Sequence, residues 1–532
     1  MKQLSGLDAA FLHLELPEMP MHIGALQLFD LPEGHRGSFY EEVKAHVASR
    51  MHLAGLFTKK LAHLPLDLAN PVWVEDSDVD LDYHVQHVML PKPGTMAQLE
   101  AYVGRLHSNL LDRSRPLWEF HVIDGLKSGQ AALYVKVHHS TIDGVGAESV
   151  TRALLDLSPE PHEIPAAPER KKEASPPGVS AMLANALRHT AAQYWKIVKY
   201  LPTTAKTVGS LMLRSREQGG KRGGGLAKKR KLGPKTPLNV SITSQRVFAT
   251  ARIPLVEAKA VGKAFGGSLN DAVLAICGSA LRRYLEAKGA LPGEPMKVLM
   301  PMNLREQGNT QLNNQFSLTL TSLPTDQAGP KERLLEIVQS SSSLKTTLNR
   351  VKSVLPTDLP SLGVPWLMSG LASLYSRSRL ADKMPPIANV LISNVPGVPV
   401  PMYMAGARMS GFYPVSIALH GVALNITVLS YNGALEFGLI ACRRAMPDVR
   451  ELAKFMNEAH LELMALLPDT AISEKLAALP AKRKTARKAI KTGIRADETA
   501  SATVTALPLK TATPKFRGKA ATREKGATRV AA

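Results

Sequence analysis

Charge divides this chain before any motif is sought. Residues 174–235 carry thirteen lysines and arginines against one acid, Glu217, and residues 481–532 carry fourteen against Asp497, Glu498 and Glu524. These segments hold +12 and +11 of the formal +21, so everything else sums to −2. The tail has scarcely any large apolar side chains and cannot bury enough surface to offset the entropy of ordering it. Compact structure is therefore expected on either side of the first basic segment. A chain of 532 residues also exceeds what one core usually serves. Segments this basic suit an anionic lipid surface, nucleic acid or a polyanionic substrate.

Local patterns fill in the two blocks. Residues 24–29, 118–124 and 131–139 read as strands and 97–111 as a helix, so 1–157 forms an α/β domain. Six prolines in 158–180 mark a linker. In 181–213, Leu183, Leu187, Trp195, Val198 and Leu201 lie among Arg188, Lys196 and Lys199. That pattern suits a helix lying in a membrane interface; a bridging helix with a solvated basic face is the alternative. A loop rich in Gly and basic residues runs from 218 to 235, completing a connecting region over 158–239.

The second α/β domain, 240–468, is expected to hold strands near 245–253, 296–302, 315–321, 388–393, 408–418, 422–430 and 434–441. Its helices fall near 255–265, 269–288, 331–350, 366–380 and 447–467. Residues 469–532 form a basic, mostly disordered tail. Cys277 and Cys442 have no partner spacing, which fits a reducing cytoplasm. Asp8, Glu15 and Glu18 stand where a secretory signal needs a basic start. The longest uncharged runs, 359–376 and 385–407, are broken by prolines, so no spanning helix is expected.

The chemistry centres on His138-His139-Ser140-Thr141-Ile142-Asp143-Gly144. Strand alternation places His139 with Leu133, Val135 and Val137, and His138 with Tyr134 and Lys136 on the opposite face. Two histidines on opposite faces do not share a metal, and neither His-Glu-x-x-His nor paired cysteines occur, so no metal site is expected. Asp143 and Gly144 fall at a turn, where a carboxylate orients the turn that aims His139. An ordinary turn beside a core histidine would look the same. Serine hydrolase, P-loop and dinucleotide fingerprints are absent.

Further motifs, in order, are Leu4-Ser5 with Asp8-Ala9, Pro20-Met21-His22-Ile23-Gly24, and Asn70-Pro71-Val72-Trp73-Val74-Glu75-Asp76. Then come Asp112-Arg113-Ser114-Arg115-Pro116-Leu117-Trp118-Glu119, Asn270-Asp271, Ser393-Asn394-Val395-Pro396-Gly397 and Tyr413-Pro414-Val415-Ser416-Ile417. Across roughly 4–467 the sequence resembles the bacterial wax ester synthase/acyl-CoA:diacylglycerol acyltransferase family of His-x-x-x-Asp acyltransferases. It departs from the family at Val398, where Pro-Gly-Pro is common.

The resemblance implies two chloramphenicol-acetyltransferase-like α/β domains with the active site in a tunnel between them. It implies His139 as general base, His138 in support, Asp143 orienting and Asn270 as a candidate oxyanion donor. Pro116, Leu117, Trp118, Gly144 and Asp271 are expected at the substrate. For Asn270 the competing role is helix capping, and for Pro116-Leu117-Trp118 a core Trp beside a turn proline.

Acyl-CoA is expected as substrate, with no separate cofactor, and diacylglycerol or a long-chain alcohol as acceptor. The expected location is cytoplasmic, at the inner membrane or lipid-droplet surface through the basic segments. Two readings compete: a related acyltransferase with another alcohol or amine acceptor, and a non-catalytic lipid-droplet or nucleic-acid binding protein. The tail's only aromatic residue, Phe516, makes nucleic acid the weaker partner. Oligomeric state is not readable from the sequence.

Overall fold

Strand β2 (His22–Asp30) sits within a six-stranded sheet between β7 (Ala131–His138) and β13 (Ala407–Val415). The sheet is completed by β12 (Tyr403–Met404) beyond β13, and by β6 (Trp118–Asp124) and β5 (Val85–Met89) beyond β7. This computed structural model describes residues 2–4, 6–62, 70–142, 150–162, 164–165, 232–303, 316–351 and 365–467. Asp143, Gly144, the helix expected at 181–213, nearly all of the 218–235 loop and the tail lie outside the described residues.

Alternation builds this sheet's two faces. Trp118, Phe120, Val122, Leu133 and Val137 face one apolar cluster, which is closed by Phe39, Val43 and Val47 of helix α2 (Phe39–Arg50). Ile123, Ala132 and Tyr134 face a second cluster, where they meet Leu99 and Val103 from α4 (Met96–Leu106). Burial of side chains this large contributes about 1.5–3 kcal/mol each. A β-carbon on Gly24 would fall 2.2 Å from the Val135 carbonyl oxygen. Glycine thus lets β2 close on β7, in the register that sets His22 opposite His138.

A second six-stranded sheet runs β10 (Phe316–Leu323), β9 (Met296–Asn303), β11 (Val390–Val395), β14 (Leu424–Tyr431), β15 (Ala434–Cys442), β8 (Arg246–Pro254). Only β11 pairs parallel with its neighbours there. The β14–β15 hairpin turns on Asn432 and Gly433, both at positive φ, as a tight two-residue turn demands. Helix α6 (Leu269–Ala287) packs on α5 (Leu255–Ala264), α7 (Pro330–Val351) and α10 (Val449–Met464). A small sheet of β1 (Lys2–Gln3), β4 (Val72–Glu75) and β3 (Lys59–Ala62) lies near the N-terminus. The remaining helices are α1 (Gly6–Leu14), α3 (Leu81–His84), α8 (Pro365–Arg377) and α9 (Leu380–Lys383).

The two sheets are not separate in sequence. Strands β12 and β13 come from the 240–468 segment yet complete the first sheet, where β13 covers the edge of β2. Gly438 of β15 permits the approach, since a β-carbon there would lie 1.6 Å from the Pro414 carbonyl oxygen. At the end of the first block, Asp156 and Tyr403 exchange both backbone hydrogen bonds, and buried Arg50 grips the Asp156 carboxylate with two more.

Two expected boundaries move. The helix expected over 97–111 ends at Leu106, past which the Ser108 and Asn109 N–H groups close tighter turns onto the Arg105 and Leu106 carbonyls. The strand expected to reach 418 stops at Val415, because Asn425 takes the Ile417 carbonyl while His107 takes that of Ser416. Among the described residues no single helix is long and apolar enough to cross a membrane; α5 and α6 meet that measure only as a pair bent by 98°.

Candidate active site

Pairing on both flanks carries the chain past the formal end of β7. The His138 N–H donates to the Leu117 carbonyl at 3.0 Å and the His139 N–H to that of Met21 at 2.9 Å. The chain then turns, with the Thr141 N–H and hydroxyl both donating to the His138 carbonyl. The two rings leave this turn for different surroundings. His138 is fully buried, and its Nδ1 accepts from the Ser140 N–H at 3.1 Å, with the Ser140 hydroxyl 2.7 Å away. In the neutral ring the proton therefore sits on Nε2, which faces Glu15 Oε1 at 3.3 Å, off-line for a full hydrogen bond.

Glu15 gathers three other motifs onto this histidine. Its Oε1 accepts from the Met21 N–H at 3.0 Å, and its Oε2 accepts from Arg113 Nη2 at 2.8 Å and Nε at 3.2 Å. Burial pushes the carboxyl up, but His138 alongside, Arg113 and the Met21 N–H outweigh it and hold the carboxyl at about 2. Arg113 also donates to the Leu12 carbonyl, which fixes the end of α1. Charge and hydrogen bonds thus tie residues 12–21 and 112–117 to the base of the turn that follows β7.

Behind His138 the same sheet face carries a buried polar layer. His22 Nε2 lies 2.8 Å from the His107 carbonyl oxygen, and the two rings meet edge-on. The oxygen can only accept, so His22 Nε2 carries the proton and donates. Burial drives His22 well below the ordinary histidine range, helped by His107 and Lys136. Burial likewise lowers His107 to about 3, against the opposing pull of the Ser416 carbonyl. Lys136 is buried with its Nζ 3.1 Å from Glu119 Oε2; burial lowers the lysine while Glu119 resists. Both His22 and His107 remain neutral at physiological pH and serve as hydrogen-bonding struts.

His139 has other neighbours and is only half-buried. Its ring lies on Phe11 of α1, 4.1 Å between centroids and 7° from parallel. Phe11 in turn packs against an apolar cluster of Met19, Met21, Ile242, Ile417, Ala423 and Cys442, drawn from the segments just before β2, β8 and β14, just after β13, and the end of β15. Helix α8 lies against α1.

The other expected site residues are distributed unevenly. Asp143 and Gly144 lie outside the described residues. Asn270 is the second residue of α6 and half-buried. It does not cap that helix. Ser268 is the cap, accepting from the Asp271 N–H while the Asp271 carboxylate accepts from the Ser268 N–H and hydroxyl at 2.7 Å each. Asp271 is thereby committed to the cap.

Pro116, Leu117 and Trp118 are buried in the core. Trp118 donates to the Phe57 carbonyl at 3.2 Å, and its ring packs on His84, Phe57 and Phe120. A core role for this tripeptide accounts for these contacts, and its link to the site is the Leu117 carbonyl under His138. Among the described residues, no group of three His, Cys, Asp or Glu side chains could hold a metal ion.

Residues 4–273 match the wax ester synthase/diacylglycerol acyltransferase catalytic domain, and residues 312–464 match the C-terminal domain of the same enzymes. The chain belongs to this family. A Mycobacterium tuberculosis protein named "Putative diacylglycerol O-acyltransferase" is 36% identical over 460 residues, 86% of this chain and 99% of that one. Another from that organism, named "Probable diacylglycerol O-acyltransferase", is 34% identical over 460 residues, covering 86% and 96%. The wax ester synthase/diacylglycerol acyltransferase of Marinobacter aquaeolei VT8 shares the fold with a TM-score of 0.62 at 32% identity, over 87% of this chain and 98% of its own. This acyltransferase thus has the family's two-domain α/β architecture.

Sequence reasoning misses Glu15, Arg113 as its partner, Phe11, and the His22–His107 pair. Signals for buried partners are nonetheless present. Glu15 sits between Leu14 and Leu16, and a Lys136 flanked by Val135 and Val137 in a central strand needs a buried partner.

Proposed function

We propose that this chain transfers the acyl group of acyl-CoA to the hydroxyl of diacylglycerol or a long-chain alcohol, with His139 as general base. The neutral imidazole takes the hydroxyl proton as that oxygen attacks the thioester carbonyl, a service worth about 10²–10⁴-fold. The tetrahedral intermediate collapses, the carbon–sulfur bond breaks, and the imidazolium returns its proton to the leaving CoA sulfur. No acyl-enzyme and no separate cofactor are needed. Asn270 is a candidate donor to the oxyanion, and Asp143 would orient the turn. The two basic segments would hold the enzyme at an anionic membrane or lipid-droplet surface on the cytoplasmic side, at about 1 kcal/mol per cation near the surface.

One observation carries the choice of base. His138 is fully buried, with one nitrogen committed to Ser140 and the other set against a charged Glu15, whereas His139 is only half-buried with its ring face braced by Phe11. The test is CoA release from palmitoyl-CoA with hexadecanol and with dioleoylglycerol, comparing wild type, His139→Ala and His138→Ala. Full rate in His139→Ala beside a dead His138→Ala would refute the assignment. Activity confined to amine or carrier-bound acceptors would refute the substrate class.

A further inference from the structure

The run from Gly370 to Ile387 leaves large apolar side chains in water. Leu371 and Leu374 stand one turn apart on α8, Leu374 being 62% exposed. Leu380 and Met384 follow one turn apart across α9, and Ile387 is 67% exposed. Single exposed apolar residues need no explanation, but five within eighteen residues form a patch that a soluble chain normally covers.

Positive charge prevails around this patch. Arg377, Arg379 and Lys383 lie along it, while Asp382, the only acid in 365–387, is already engaged by the Ser241 N–H at 2.6 Å and Arg379 Nε at 3.2 Å. The strongly basic segment 174–235 also ends here. Exposed Leu232 adjoins Gly233, whose N–H donates to the Pro386 carbonyl at 2.8 Å, and Lys235 Nζ donates to the Asp382 carbonyl at 2.6 Å. Apolar side chains framed by cations in excess suit an anionic lipid surface, which buries the former and attracts the latter.

We infer that the face formed by residues 370–387, with 232–235 at its side, docks onto an anionic lipid surface. The inner side of α8 gives such docking a purpose. Ser376 donates to the Glu18 carboxylate and α8 packs on α1, which carries the Phe11 that braces His139. Docking there brings the lipid surface to the element next to the catalytic histidine, so a water-insoluble acceptor need not cross bulk solvent. The inference gives the proposed acyltransferase its contact with lipid, and rests on that reading for its purpose alone.

The test uses the full chain with vesicles of phosphatidylcholine containing phosphatidylglycerol, against phosphatidylcholine alone. The doubly substituted Leu371→Ser, Leu374→Ser protein should lose vesicle partitioning by roughly tenfold or more, while keeping wild-type CoA release with a dispersed short-chain alcohol. Separately, Leu374→Trp should shift its added emission to the blue only with the anionic vesicles. Undiminished partitioning of the double variant, unshifted emission from the introduced tryptophan, or a changed oligomeric mass of the double variant would each overturn the proposal, the last by making the face a contact between copies. A protein that binds vesicles through this face yet releases no CoA would refute the acyl-transfer reading and leave the surface standing.

Discussion

The imidazole of His139 lies flat on the ring of Phe11, 4.1 Å between centroids and 7° from parallel. A ring held by its face keeps its edge, and so both nitrogens, in one plane. A general base profits from that, because proton transfer requires its lone pair within hydrogen-bond reach of the acceptor's hydroxyl. Phe11→Leu keeps apolar bulk without the flat support. It is expected to lower kcat by about 10–100-fold with little change in the KM for acyl-CoA, since misplacement of a catalytic group is felt in the chemical step. Steady-state kinetics at several acyl-CoA concentrations checks this.

The two motif histidines should separate when stability and rate are measured together. His139→Ala is expected to lose about 10²–10⁴-fold in kcat with an unchanged melting temperature. His138→Ala removes the ring that faces Glu15 and leaves the Ser140 N–H without its acceptor. It is expected to lose about 1–3 kcal/mol of stability, with a smaller fall in rate at temperatures where it remains folded. Thermal unfolding alongside CoA release distinguishes the two profiles.

Glu15 should make the fold acid-sensitive in a defined window. Burial raises its carboxyl, but His138, Arg113 and the Met21 N–H bring it down to about 2 from 4.5. The unfolded chain therefore binds this proton first as the pH falls. Stabilisation is complete above about pH 4.5 and is lost as the pH drops towards 2, amounting to about 3 kcal/mol at most. Glu15→Gln should be less stable at pH 7 and show a flatter dependence below about pH 5, read from urea unfolding at each pH.

His107 should add a limb at higher pH. Burial lowers it to about 3 from 6.5, so the unfolded chain gains a proton that the folded one refuses. Its neutral form favours folding fully above about pH 6.5, and that advantage declines as the pH falls towards 3. His107→Phe should lose about 1–3 kcal/mol at pH 7 through the Tyr134 and Ser416 hydrogen bonds. Its stability should then change less between about pH 6.5 and 4 than that of wild type, by the same unfolding measurement.

Much of the fold can be read from periodicity, and the failures share a physical cause. The helix expected to begin at 97 starts at Met96 behind the Thr95–Gln98 capping box, and alternation sorts Leu133 and Val137 from Ala132 and Tyr134 onto the two faces of β7. By contrast α2 escapes such a reading because its apolar face is interleaved with polar residues that find tertiary partners, such as His46 at the Leu154 carbonyl and Arg50 at Asp156, and α1 because it is apolar nearly all round and shows no face. The placement of β13 in the first sheet is a long-range pairing that no local pattern encodes. Glu15 is visible as a residue but not as a partner. Its role depends on Arg113, 98 positions away, and on His138.

Asn270 and Ser268 stand two residues apart at the start of α6 and should fail in opposite ways. Ser268 caps the helix and Asp271 reciprocates, so the cap is complete without the Asn270 side chain. Ser268→Ala should lower stability by about 1 kcal/mol and leave kcat near wild type. An oxyanion donor does the reverse: its amide matters only once the carbonyl oxygen gains charge, so Asn270→Ala should lower kcat by about 10²–10³-fold with the melting temperature unchanged. Asn270→Asp sharpens the comparison, since it preserves size but sets an acceptor where a donor is needed; it should be no better than alanine. If Asn270→Ala instead melts early and keeps its rate, the residue belongs to the helix start and the oxyanion donor must be sought elsewhere.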